Sequence, residues 1–359
     1  MRLMVKIIAE AGTNHNGNIN LAYKLVDVAK NSGADFVKFQ IINPESLYVP
    51  FYWENKKKIK SIVFERRKEE SLTNDEWQKI CKYCKKKGIA FTASVFDTAG
   101  VDFLKQLKVP FIKLASSDLN NKSLIQYVAK QKIPLIISSG MASLSEVKKS
   151  IEAFCEFNSK SQIKVLHCVS VYPCELQNTS LHKIKMFQNE LDCEIGFSDH
   201  TLNSKAACIA TSLGVSFIEK HFTLNKEMDG FDHKYASSPE EFNEYIKNIR
   251  SMEKSLNENL NTSSAELITK VRARRGVYLN KALKKGEVIT LEDLVSLRPS
   301  NKINPFEMDK LIGLHLGEDI KEFEPIELID EKIFSDLNSV WKTANEYWKQ
   351  EMKEKKMIK

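Results

Sequence analysis

Eight short apolar runs punctuate the first two thirds of the chain: Lys6–Gly12, Asp35–Gln40, Ile89–Val95, Phe111–Ser117, Leu135–Gly140, Lys164–Ser170, Glu194–His200 and Phe217–Phe222. Near-continuous apolar runs of this length suit strands covered on both faces, as in a parallel sheet. Stretches with helical punctuation separate them. Leu21, Leu25, Val28 and Ala29 share one face of the first. Ser143 with Glu146, and Ser238 with Glu241, have capping-box spacing, and Pro239 takes the first helical position. Phe242, Tyr245, Ile246, Ile249, Met252 and Leu256 then draw an apolar stripe at helical period. Strands alternating with helices over roughly 255 residues predict an α/β fold, a (β/α)8 TIM barrel, with an open doubly wound sheet as the alternative.

Only the second crossover is long. Residues 41–73 hold Pro44, Pro50, Tyr52, Trp53 and a lysine run. Such an excursion at a strand end of a barrel often shapes the active site. After Leu256 the composition turns polar. The pattern predicts a barrel over 1–257, a linker over 258–273, a small β-rich segment over 274–333 and an amphipathic helix over 334–359, with Leu337, Trp341, Ala344 and Trp348 on one face. A segment of about 60 residues is small for independent stability, so it is expected to dock on another surface.

Composition narrows the class. With 42% hydrophobic and 28% charged residues, the chain of 359 residues reads as an ordinary globular protein. No apolar run approaches the roughly 20 residues that cross a bilayer. The opening MRLMVKIIAE has neither the apolar core nor the cleavage site of a signal peptide. The net charge of +7 is spread over lysine clusters with no nucleic-acid module beside them. Neither nucleic acid nor membrane is therefore expected as a partner, while positive charge suits anionic substrates. Seven cysteines without secretory signals predict free thiols in a reducing cytoplasm. Cys81 and Cys84 form a lone Cys-x-x-Cys on a lysine-rich helical stretch, a weak signal for zinc or redox chemistry.

The C-terminal ends of barrel strands face the active site. Here they carry Glu10, Lys38 and Gln40, Ser94, Lys113 with Ser116 and Asp118, Ser138 and Ser139, Ser170 and Tyr172, Ser198 to His200, and Lys220 with His221. A lysine inside FVKFQ or FIKLAS would be buried, and an unpaired buried charge is expensive. Together with hydroxyls on adjacent strands, such lysines suit a phosphate and a carboxylate. His200 and His221 end successive strands, where neutral imidazoles either complete a core or bind a divalent metal with positions left open. His15 could orient the first loop, and His167 reads as structural. Glu10 and Asp232 offer a base, a partner for metal-bound water, or acceptors for sugar hydroxyls.

IIAEAGTNHNGNINLAYKLVDVAKNSGADFVKFQ resembles the opening of the sialic acid (N-acetylneuraminate) synthase family, which includes legionaminic and pseudaminic acid synthases. ISSGMASLSEV, LHCVSVYP, GFSDHT and EKHFTLNK continue the resemblance in order, and KKGEVITLEDLVSLRPSN resembles its antifreeze-protein-like (SAF) domain. The resemblance implies a homodimer whose SAF domains are exchanged between active sites. It also implies condensation of phosphoenolpyruvate with an N-acylated hexosamine, giving a nine-carbon 2-keto-3-deoxy acid and phosphate. The expected cofactor is a divalent metal, Mn2+ first, with Mg2+ or Co2+ as alternatives.

Carried over by motif, His200 and His221 resemble the metal ligands. Lys38, Ser94, Lys113, Ser116 and Ser138 resemble the phosphoenolpyruvate contacts, with Gln40, Ser170 and Ser198 also at substrate-binding positions. Glu10 and Asp118 stand where acidic residues assist the chemistry. Tyr172, Asp232 and Arg298 resemble the sugar contacts, Arg298 coming from the partner chain. Ser170 replaces the usual Asn, GFDHKY replaces GPDHK, and RPSN replaces RPGN. All three departures are expected on the sugar side. N-acetylmannosamine is the first acceptor expected and a diacetamido-trideoxy hexose, for legionaminic or pseudaminic acid, the second. Rival readings are a condensation giving shorter 3-deoxy acids, which would lack the SAF segment, and a non-catalytic sugar-binding protein, which would not need both histidines and both lysines.

Overall fold

The computed structural model describes residues 4–256, 261–301, 303–324, 326, 346, 349, 352 and 353. The chain divides into two compact units after Glu258. In the first, ten strands follow in chain order: β1 (Lys6–Gly12), β2 (Phe36–Ile41), β3 (Phe51–Glu54), β4 (Lys57–Lys60), β5 (Ala90–Val95), β6 (Ile112–Leu114), β7 (Leu135–Ser138), β8 (Ile163–Cys168), β9 (Glu194–Asp199) and β10 (Phe217–His221). Eight of them close a parallel barrel in the order β1-β10-β9-β8-β7-β6-β5-β2, so the predicted (β/α)8 architecture is the observed one.

The period-two alternation of a strand sorts this barrel into layers. Ile8, Phe111, Ile136, Leu166 and Phe217, with Phe36 against them, form an apolar floor inside it. Gly196 completes that floor, because a Cβ there would lie 2.4 Å from the Leu166 side chain. Two residues further along each strand come Glu10, Lys38, Lys113, Ser138, Cys168, Ser198 and Glu219, all buried. The intervening residues, such as Ile7, Ala9, Val37, Phe39, Val165 and Ile218, join the larger core between barrel and helices.

The helices begin where their caps predict. Ser143 and Ser238 accept from the backbone of Glu146 and Glu241, whose side chains accept in return, at the starts of helices Leu144–Cys155 and Pro239–Ser255. Each such cap contributes about 1 kcal/mol. The long second crossover is built rather than loose. β3 and β4 pair antiparallel across Asn55 and Lys56, both with positive φ, as a two-residue hairpin turn requires. The helix Ile62–Glu69 follows. All seven cysteines are free, and Cys84 is buried in the main core. Among the described residues no helix is long and apolar enough to cross a membrane.

The second unit has its own core of Val277, Leu279, Leu283, Ile289, Leu294, Ile303, Leu311, Leu316, Ile320 and Ile326. β11 (Gly276–Leu279) pairs antiparallel with β12 (Leu294–Leu297). The residues expected as linker, 258–273, are not all linker: Ser264–Ala273 forms a helix capped by Ser263 and Glu266. The polar composition hid it, since serine and glutamate there mark a helix start as readily as a loop. The terminal helix expected over 334–359 lies outside the described residues except at 346, 349, 352 and 353.

Candidate active site

The polar layer above the apolar floor is a charge network. Lys38 Nζ lies 2.7 Å from Glu10 Oε2 and 3.5 Å from Glu219 Oε2, and donates to Ser94 Oγ at 3.0 Å. Glu10 Oε1 accepts from Gln40 Nε2 at 3.0 Å, and Glu219 Oε1 from Ser198 Oγ at 2.9 Å. Burial alone would lower the Lys38 ammonium, but Glu10 and Glu219 outweigh it and hold it above the ordinary lysine value. Burial would likewise raise the Glu219 carboxyl, yet Lys38, Lys113 and His221 keep it below the usual carboxylate range. The Glu219 carboxylate is therefore ionised at neutral pH.

Lys113 has weaker compensation. Its ammonium donates to Ser138 Oγ at 2.7 Å and to the Leu114 carbonyl at 2.8 Å. Burial pushes it below the ordinary lysine value, and Lys38 adds to the push. A buried lysine with neutral partners is a site for an anion. Beside it, Gly140 N–H donates to Ser116 Oγ at 3.0 Å. A Cβ on Gly140 would lie 2.6 Å from Ser116 Oγ and 2.1 Å from Ser170 Oγ, so only glycine admits both hydroxyls there. Ser170 was expected on the sugar side. In the structure its hydroxyl meets that of Ser116 at the Gly140 turn, just past the end of β7.

Across the barrel mouth the groups are aromatic. The rings of His200 and His221 are 5.5 Å apart, and Tyr172 packs on His200 at 4.1 Å. Tyr235 lies 4.9 Å from Tyr172 and 5.4 Å from His221, and its hydroxyl donates to Asp232. His200 Nδ1 is 2.7 Å from the Val169 carbonyl, which makes it the N–H of the ring and leaves Nε2 with a lone pair. Burial, helped by His221, lowers His200 to about 3, so it is neutral. His221 Nδ1 is buried without a hydrogen bond, 3.8 Å from Asp232 Oδ2. Two adjacent imidazoles, one with an unsatisfied buried nitrogen, fit a divalent ion. Among the described residues no group of three or more His, Cys, Asp or Glu is placed to hold a metal ion.

The remaining expected residues divide. Asp118 is buried in the turn after β6, where its carboxylate accepts from Ser117 Oγ and Asn121 Nδ2, within its own loop. Arg298 is exposed just after β12, in the second unit. Lys220 points the other way from its neighbours, donating to the Thr201 carbonyl and lying over the Tyr245 ring. His167 is structural as expected, bonded to the Thr179 carbonyl. Glu219 and Tyr235 were missed by the sequence reading. Glu219 was legible, since it is two residues from His221 and must share its face. Tyr235 sits on a loop that no periodicity reads.

The NeuB family model matches residues 25–261. N,N'-diacetyllegionaminic acid synthase of Legionella pneumophila is 37% identical, over 87% of this chain and 90% of its own. Pseudaminic acid synthase of Campylobacter jejuni is 33% identical, over 88% of this chain and 94% of its own. Among solved structures, N-acetylneuraminic acid synthetase of Leptospira borgpetersenii superposes with a TM-score of 0.67 at 31% identity, over 74% of this chain and 90% of that one. With a family model over residues 25–261 and relatives above 30% identity along most of the sequence, on the closed parallel barrel described above, the chain belongs to the NeuB family.

Proposed function

We propose that this protein is a nonulosonic acid synthase, which joins C3 of phosphoenolpyruvate to the aldehyde carbon of an open-chain N-acyl sugar and releases phosphate. The observation that carries it is one barrel mouth with an anion side, Lys113 with Ser138, Ser116 and Ser170, facing an imidazole and carboxylate side, His200, His221 and Asp232. Lys113, Lys38 and the hydroxyls hold the phosphate and carboxylate of phosphoenolpyruvate. A divalent ion on His200 and His221, Mn2+ in the first instance, would supply Lewis acidity toward the sugar aldehyde.

The chain's own groups manage the rest. Attack by C3 forms the new C–C bond, turns the aldehyde oxygen into an alkoxide and leaves C2 cationic beside its oxygen. Water adds at C2, giving its proton to Glu10 or Glu219, the carboxylates that flank Lys38, and that proton goes on to the alkoxide. The tetrahedral adduct then breaks its C–O bond to phosphate, and the C2 hydroxyl proton leaves with the phosphate as the keto group forms. Asp118, engaged within its loop, braces the turn that presents Ser116. Asp232 and Tyr172 receive the sugar.

For the acceptor, N-acetylmannosamine is the sequence expectation. A diacetamido-trideoxy hexose is favoured by the names of the legionaminic and pseudaminic acid synthases. Phosphate release from phosphoenolpyruvate with each sugar, after chelation and with Mn2+ restored, tests the reading and ranks the two. No release with either sugar overturns it. We also infer that the protein is a homodimer with exchanged SAF domains, in which Arg298 serves the partner's site. This follows from the resemblance and from the small size of the segment. A mixed dimer of Arg298→Ala and Lys113→Ala chains should then regain activity that neither variant has alone.

A further inference from the structure

Three chain segments meet beside Asp232 through groups that the proposed reaction does not use. Arg66 and Arg67 stand on the helix Ile62–Glu69 of the long second crossover. Arg67 is buried; its Nη1 donates to Thr13 Oγ1 at 2.7 Å and lies 3.4 Å from Glu70 Oε2. Its guanidinium sits 3.9 Å from the centre of the Phe231 ring. Arg66 bonds Glu70 at 2.8 Å and Asp229 Oδ2 at 3.1 Å, and lies 5.2 Å from the same ring. From the loop after β1, Asn16 Nδ2 donates to the Asp229 carbonyl at 2.8 Å.

Phe231 and Asp232 are neighbours in the loop after β10. Phe231 is 40% exposed, so no core fixes its ring. Its face is instead held by a planar cation that is itself anchored on Thr13 and Glu70. Guanidinium over an aromatic face is an attractive and orienting contact. On its other side Asp232 abuts Gly12, where a Cβ would lie 2.8 Å from Oδ2. Asp232 thus lies between the end of β1 and the Tyr235 hydroxyl that donates to it, next in the chain to a ring that Arg67 stacks on.

We propose that Arg67, through its stack on Phe231, is a positioning residue that sets Asp232 for the acceptor sugar, so the crossover helix takes part in sugar recognition without touching sugar. The proposal rests on the condensation proposed above. Two measurements on Phe231→Ala, Phe231→Tyr and Arg67→Lys test it. The first is amide hydrogen exchange over residues 224–236. It should rise about tenfold in Phe231→Ala and Arg67→Lys and stay near wild type in Phe231→Tyr, which keeps an aromatic face. The second is steady-state kinetics. KM for the acceptor sugar should rise roughly five- to tenfold in the first two variants, with kcat and KM for phosphoenolpyruvate within about twofold.

Unchanged exchange in Phe231→Ala overturns the proposal, as does a rise in KM for phosphoenolpyruvate equal to that for sugar. Phe231 is half on the surface, so its replacement leaves the fold intact even where Arg67→Lys does not. If the wild-type protein releases no phosphate with either sugar, the condensation fails. The exchange comparison still decides whether the stack holds the Asp232 loop.

Discussion

Lys38 Nζ lies 2.7 Å from Glu10 Oε2, an ion pair closed off from water, with side-chain exposures of 3% and 1%. Removing one member of such a pair leaves the other charge buried, which costs about 3–5 kcal/mol. Lys38→Met should therefore lower stability by about that amount and abolish phosphate release. Adding Glu219→Gln should recover part of the stability and none of the activity, because the two residues share one network. Denaturant unfolding beside a phosphate assay reads both.

The imidazole pair makes a different prediction. His200→Ala and His221→Ala should each lower turnover by about 10³-fold or more, as expected for loss of a Lewis acid site. Chelation should silence the wild type and Mn2+ restore it, while neither variant responds. Near-wild-type turnover of both variants would remove the metal from these two residues.

His15 gives the acid limit. Its ring is packed edge-on against Trp77 at 5.2 Å, and burial, with Arg67 nearby, lowers it to about 4. The unfolded chain protonates this ring below about pH 6.5 and the folded protein does not. Stability from this group is therefore complete above pH 6.5 and falls as pH drops toward 4, by up to about 3 kcal/mol. His15→Phe keeps the ring packing, and its stability should change less between pH 7.5 and 4.5 than that of the wild type. An identical pH profile would mean that other groups set the acid limit.

Ser170 shares the Gly140 turn with Ser116, which the proposed reaction assigns to phosphoenolpyruvate, so its effect should fall there. Ser170→Asn should change KM for phosphoenolpyruvate several-fold and leave the preference between the two acceptor sugars within about twofold. A switch of sugar preference would return Ser170 to the sugar.

The sequence by itself determined the barrel and its polar layer. Eight apolar runs spaced by capped helices point to a (β/α)8 barrel ahead of an open doubly wound sheet, and strand alternation puts Glu10, Lys38, Lys113, Ser138, Ser198 and His221 on one face once the runs are strands. The same rule applied more strictly would have separated Lys220 from His221 and added Glu219. What only the tertiary structure decided lies on loops, where no periodicity links sequence to direction. Ser170 joins Ser116 at Gly140, Asp118 turns into its own loop, Tyr235 bridges His221 and Asp232, and Arg67 crosses from the second crossover to Phe231. The meetings of Ser170 with Ser116 and of Arg67 with Phe231 join segments far apart in the chain, set by how the strand order closes the barrel. A local pattern carries no record of it.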